Sequence, residues 1–215
     1  MRNILRIKLF LALLLMALAP CVNAQVAHVG DILCTSGVYV SAAEFPNSGL
    51  EAMGVIFYVD ATGQHGWAIA LQDEGNYFWC SNSSGPNSAL PNYTSVRAAI
   101  YDLDGLFNTQ VILNLDENNA NIMYPAFEAV DFANGWYVPA IGQLNYLFGN
   151  LIEVNAALAV CGGNVFKMSN SWEYWSSTEA NVAGSFTHVY YLESTGKIWY
   201  SQENYSKSVR AVHNF

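Results

Sequence analysis

Between Pro139 and Gly163 the chain keeps one apolar stripe: Ile141, Leu144, Leu147 or Phe148, Leu151, Val154 or Asn155 and Leu158 recur every three to four residues, and Gly162-Gly163 ends them. That period predicts one long helix with a face that must be buried against another layer. The layer is written on both sides of it. Gly54 to Asp60 and Gly66 to Asp73 are short β-branched and aromatic runs joined by residues 61–65, a hairpin pattern with a five-residue loop. Thr187 to Glu193 and Lys197 to Gln202 repeat the pattern around Ser194-Thr195-Gly196, and Ser208 to Phe215 reads as a last strand. Pro125 suits a first helical turn, and Phe127, Val130 and Ala133 then share a face of a shorter helix that Gly135 stops. Strands at both ends with helices between them give an α+β layer arrangement. From Tyr77 to Tyr93 the residues turn to Asn, Ser, Gly and Pro, a long surface loop.

The N-terminus has a different character. Arg2, Arg6 and Lys8 precede an apolar run from Leu9 to Leu18, and Val22-Asn23-Ala24 supplies small residues for cleavage, so residues 1–24 read as a signal peptide. Processing at Cys21 as a lipoprotein is the alternative, and Pro20 before the cysteine disfavours it. Without the leader, five basic residues face seventeen acidic ones, a formal charge of −12. Such a surface repels phosphate backbones and anionic lipid, which argues against nucleic acid as a partner. No later stretch has the roughly 18 uninterrupted apolar residues of a membrane span. The expectation is an exported protein, secreted or at the cell surface, with the periplasm as an alternative. Residues 25–53 form an N-terminal leader and first strand region, and residues 54–215 the domain proper.

Five blocks occur in order along the chain: Gly54-Val-Ile-Phe-Tyr-Val-Asp60 with Thr62-Gly63-Gln64-His65-Gly66; Gly105-x-x-Asn108-Thr109-x-x-Ile112; Gly135-Trp136-Tyr137-Val138-Pro139 with Leu144 and Leu147; Tyr174-Trp175-Ser176-Ser177-Thr178-Glu179; and Val209-Arg210-Ala211-Val212 with Phe215. Together they resemble the bacterial exported family named for the C-terminal domain of the Legionella collagen-like protein. The resemblance implies a C-type-lectin-like fold: small mixed or antiparallel sheets in which N- and C-terminal strands pair, two flanking helices and long loops. It also implies an adhesin-like or ligand-binding role. The chain departs from the family pattern at Gln143, where Glu is usual, and at His213, where Arg commonly ends the last strand. The same broad fold includes formylglycine-generating oxidases, so fold does not choose the function.

Chemistry is sparsely signalled. His28, His65, His188 and His213 are the neutral-pH bases, and none sits in a recognisable nucleophile motif. Cys34, Cys80 and Cys161 remain after the leader; three single pairings are open, with Cys80 to Cys161 favoured as a structural disulfide, and C-x-x-C spacing is absent. A cysteine-dependent oxidase needs accessible, adjacent thiols, which these contexts do not suggest. Asp102, Asp104, Asp116, Glu117, Asn118, Asn119 and Asn121 supply oxygens for a structural calcium, yet they lack a D-x-[DN]-x-[DN]-G spacing and read as solvated loops, so no cofactor is expected. The Asn-x-Ser/Thr sequons at Asn82, Asn92 and Asn204 mark polar loops.

Aromatic recognition remains. The C-terminal third gathers Trp172, Tyr174, Trp175, Tyr190, Tyr191, Trp199, Tyr200 and Tyr205 beside carboxylates and amides. Rings stack on sugar faces or anchor protein interfaces, while neighbouring polar groups fix orientation. Strand alternation puts Ile198 and Tyr200 on a core face, and Lys197, Trp199 and Ser201 on the other. Trp175 reads as a core anchor in a turn whose hydroxyls satisfy nearby backbone. The expected contact set is Trp172, Glu173, Tyr174, Asn181, Trp199, Gln202, Asn204 and Tyr205, meeting an extracellular glycan or protein. The expected role is a non-enzymatic binding module, with a structural or assembly subunit of a surface fibre as the alternative.

Overall fold

The computed structural model describes residues 25–81, 89–116, 123–181 and 188–215. The fold is α+β, built on two sheets. In the first, β1 (Ile32–Cys34), β2 (Tyr39–Val40), β3 (Ala52–Val59), β4 (Gly66–Ala70), β7 (Trp136–Tyr137) and β12 (Val212–Asn214) lie in the order β2-β1-β3-β4-β12-β7, every pair antiparallel. Residues 25–53 therefore supply strands to the same sheet as the rest of the chain. Early and late strands do meet, although β12 pairs with β4 and not with β1. The second sheet runs β10-β9-β8-β11-β5, from β5 (Gly75–Phe78), β8 (Glu173–Ala180), β9 (His188–Glu193), β10 (Ile198–Gln202) and β11 (Ser206–Val209). It is mixed, because β11 and the short β6 (Asn92–Tyr93) lie parallel to β8 while the other pairs are antiparallel.

The long helix predicted after Pro139 is two helices, Ile141–Gly149 and Leu151–Cys161, bent by 82° at Asn150. The apolar stripe survives the break: Ile141, Leu144, Leu147, Leu151, Val154 and Leu158 are all buried. Asn150 makes the corner by donating from Nδ2 to the Phe57 carbonyl at 2.9 Å, a strand group that a continuous helix would leave uncovered. The first of these helices packs on β3, β8 and β9, and the second on β3, so the pair joins both sheets through one core. Each fully buried Leu, Ile or Val there contributes about 1.5–3 kcal/mol. Among the described residues no single helix is long and apolar enough to cross a membrane. The helix predicted from Pro125 is likewise interrupted, as Pro125–Glu128 and a 3₁₀ turn at Phe132–Asn134 that Gly135 closes at φ 86°.

Ser208 to Phe215, predicted as one strand, changes sheets at Arg210-Ala211. Arg210 is 2 % exposed. Its Nε donates to the Ala70 carbonyl at 2.9 Å and its Nη2 to the Leu71 carbonyl at 2.8 Å; its Nη1 lies 3.6 Å from Asp73 Oδ1, and its guanidinium 4.3 Å from the Phe166 ring centre. The planar fork ties the sheet crossing to the end of β4.

The predicted disulfide is not formed: neither Cys80 nor Cys161 is in a disulfide, and the two belong to different cores. Cys80 lies with Trp79 and Phe127 under the second sheet, whereas the helix ending at Gly162 leaves Cys161 against the first core, which also holds Cys34. Burial pushes the Cys34 and Cys161 thiols up.

Arg210→Met would remove three polar contacts from a buried site. Stability should fall by about 3 kcal/mol, the scale of breaking one side of a buried ion pair, and urea denaturation of the variant against the parent protein measures it.

Candidate functional site

The segment WEYWSSTEA runs through the centre of the second sheet, with residues 174–180 all buried. Trp175 is a core anchor, fully buried, its Nε1 donating to the Tyr77 carbonyl at 2.9 Å. The hydroxyls after it do not satisfy local backbone alone. Ser176 Oγ donates to the Tyr190 carbonyl at 2.7 Å, and Thr178 Oγ1 donates to Asp102 Oδ2 at 2.8 Å while accepting the Ile141 N–H at 2.9 Å. Asn108 Nδ2 donates to both Asp102 Oδ2, at 3.0 Å, and Ser177 Oγ, at 3.2 Å. Thr109 Oγ1 meets the Val138 N–H at 3.1 Å. This polar knot joins β8 to the helix Gly105–Asp116 and to the start of the helix at Ile141. Close approach requires glycine at Gly142, where a Cβ would lie 2.4 Å from two carbonyl oxygens of the 100–102 loop.

Gln143 is buried and hydrogen-bonded, and His213 is half-buried. Gln143 Oε1 accepts the Ala140 N–H at 2.9 Å, and its Nε2 donates to Tyr137 Oη at 2.9 Å. His213 packs edge-on against Trp136, centroids 5.2 Å apart.

The expected contact residues separate. Tyr174 is buried, 5 % exposed, with its hydroxyl donating to Asp73 Oδ1 at 2.8 Å, so it is not part of an open surface. It lies on β8, whose residues 174–180 are all buried, so neither face of that strand is open. Trp172 is half-buried against Phe166 and Tyr174, its Nε1 donating to the Lys167 carbonyl. Glu173 is held by Lys207, Nζ to Oε2 2.5 Å, and that ammonium also lies 3.8 Å from the Tyr191 ring centre. Asn181 is exposed at the other end of β8, and its N–H donates to the Tyr93 carbonyl.

Trp199 and Gln202 lie on β10, and Asn204 and Tyr205 in the turn that follows it. Ile198 turns inward, and Trp199 is 46 % exposed, as alternation predicts. Its indole is parallel to the Tyr200 ring, 5° between planes with centroids 5.5 Å apart, and Lys197 Nζ sits 4.4 Å from its centre. In the turn, Glu203 is buried while Asn204 and Tyr205 are exposed. Sequence reasoning left out Lys197 and Lys207; each follows or precedes an aromatic by two positions on a strand, or faces one across the sheet, and that spacing is the signal that was there to use.

The histidines are dispersed: His28 beside Asp31, His65 exposed, His188 edge-on to Tyr200, His213 against Trp136. Among the described residues no group of three His, Cys, Asp or Glu side chains is arranged to hold a metal ion. Asp102, from the calcium set, is committed to Thr178 and Asn108, and residues 117–121 of that set lie outside the described residues. No protein-family model matches this chain, and no curated protein sequence matches it.

Two outcomes follow from the buried strand. Thr178→Val deprives both the Ile141 N–H and Asp102 of their partner, and chemical denaturation should show a loss of about 2 kcal/mol. Burial first, then Glu173 and Glu193, pushes the Tyr191 phenol up to about 12 from 10.0. Because the folded pKa is raised, its contribution to stability is complete below pH 10.0 and is lost as pH rises toward about 12. Tyrosinate absorbance should therefore show a late-titrating phenol that Tyr191→Phe removes.

Proposed function

We propose that this chain is an exported, non-enzymatic ligand-binding module of adhesin type with a C-type-lectin-like fold, related to the family named for the Legionella collagen-like protein C-terminal domain. The five ordered blocks and the signal-like leader support that reading. The blocks at Gly105 to Ile112, Tyr137 to Leu147 and Trp175 to Thr178 contribute the buried joints between helices and sheets, as motifs inherited for a fold would. Cys34 and Cys80 are buried in different cores and Cys161 is half-buried against the first, so no two thiols are both openly accessible, which speaks against a cysteine oxidase.

The observation that carries the binding role is the half-exposed Trp199, in contact with Lys197 and Tyr200, on the strand that precedes the exposed Tyr205. A ring already fixed in place loses little conformational freedom when a sugar face or protein side chain stacks on it. The ligand is an extracellular glycan or protein, meeting these rings with Gln202 and Asn204 as hydrogen-bonding flank. A second reading, a fibre or assembly subunit, rests on one feature: β10 is an edge strand among the described residues, and an open edge can accept a strand from a neighbouring copy.

The double variant Trp199→Ala with Tyr205→Ala should lose binding to host-surface glycans or extracts by at least about tenfold, with stability changed by no more than about 0.5 kcal/mol. Retained binding would remove the role of this face. Light scattering separates the second reading, which requires high-mass assemblies in place of monomers.

A further inference from the structure

A cleft of about 300 Å³ opens on the first sheet, lined by Tyr58, Asp60, His65, Trp67, Asn214 and Phe215. The Trp199 face, by contrast, belongs to the second sheet. Its walls are built deliberately by the local chain. Tyr58 and Trp67 are register partners on β3 and β4, their rings stacked with centroids 4.2 Å apart, and Tyr146 braces both edge-on at 4.9 and 5.8 Å. Phe215 crosses the strand at Gly66, where a Cβ would lie 2.0 Å from the Tyr58 carbonyl oxygen and 2.8 Å from the Phe215 ring; any side chain there would displace that wall.

The polar groups are fixed as well. Asp60 Oδ1 accepts the Thr62 N–H at 3.0 Å and the Thr62 hydroxyl at 2.7 Å, so Oδ2 has acceptor capacity to spare. The Thr62 hydroxyl foremost holds this carboxyl below the usual carboxylate range. Across the cleft a relay sets the Asn214 amide: Gln143 Nε2 donates to Tyr137 Oη at 2.9 Å, and Tyr137 donates to Asn214 Oδ1 at 2.5 Å. With Oδ1 occupied, Asn214 offers its Nδ2 hydrogens.

We propose that this cleft binds the end ring of a neutral saccharide, its apolar face against the Tyr58 and Trp67 rings, its hydroxyls donating to Asp60 Oδ2 and accepting from Asn214 Nδ2. The match is chemical. A sugar ring carries an apolar face and hydroxyls that each donate and accept, and an aromatic wall with one fixed acceptor and one fixed donor answers all three. The Asp60 carboxylate and the acidic surface repel anionic sugars. A simple cation would have no use for the Asn214 donor. The volume is at the lower end of the roughly 300–1,000 Å³ of small-ligand sites, room for a terminal unit and not for an extended chain. The site is independent of the Trp199 face.

Two near-isosteric variants isolate the site without removing its supports. Asp60→Asn keeps an oxygen for Thr62, and Asn214→Asp keeps one for Tyr137. Saturation-transfer NMR on the full chain, with the methyl glycosides of glucose, galactose, mannose and N-acetylglucosamine as probes, should detect at least one of them, bound about tenfold or more weakly by each variant. The Trp199→Ala, Tyr205→Ala protein should bind that glycoside unchanged. The assignment would be overturned by no transfer to any of the four glycosides, by transfer in both cleft variants equal to that of the parent protein, or by binding of tetramethylammonium or sialic acid in their place. Loss of glycoside in the Trp199 variant with the cleft variants intact would move the sugar to the other face and also overturn it.

Discussion

The Asp102 carboxylate, fully enclosed between Thr178, Asn108 and the 100–104 loop, is the constraint around which the molecule is arranged. A charged group in a dry interior is tolerable when its oxygens are met by donors, and each donor here comes from a different part of the chain. Thr178 brings the central strand, Asn108 a helix, and the Asp104 N–H the loop itself. Thr178 then passes the constraint on by accepting the first N–H of the Ile141 helix. Polar residues in the middle of β8 are thus connectors, and their burial explains why a strand reading EYWSSTEA can sit at the centre of a sheet.

Arg210 does for the sheets what Asp102 does for the helices. The chain leaves the second sheet at Val209 and enters the first at Val212, and two carbonyls at the end of β4 receive the guanidinium at the crossing. The two devices differ in sign and in partners, but both replace water with directed hydrogen bonds at a junction where apolar packing alone would leave the register loose.

Much of the α+β layout was legible before any coordinates. Short β-branched and aromatic runs located both hairpins, and the three-to-four stripe located the large apolar residues that the helix pair buries, because these patterns report which side of an element is dry. The break at Asn150 escaped, since the stripe runs through it unchanged and the cause is a carbonyl of Phe57 that is distant in sequence. Arg210 escaped for the same reason: a basic residue in an alternating strand reads as surface unless its distant partners are known. At the contact surface, alternation placed Trp199 correctly on an edge strand, while Tyr174, expected in the contact set, lies on a strand covered on both sides. Cys80 and Cys161 could not be assigned from spacing, because a chain with two cores separates residues that one core would bring together.

The position of β12 bears on the order in which the molecule can form. It lies between β4 and β7, so Val212 pairs with both Ile69 and Tyr137. Residues 71–211 must be made, and their helices gathered, before the first sheet can close. Contacts of such long range are slow to form, and little of the entropy of closing the chain is recovered until they do. Four strands of that sheet can pair early in synthesis, and β7 is joined to them only when residues 212–214 arrive.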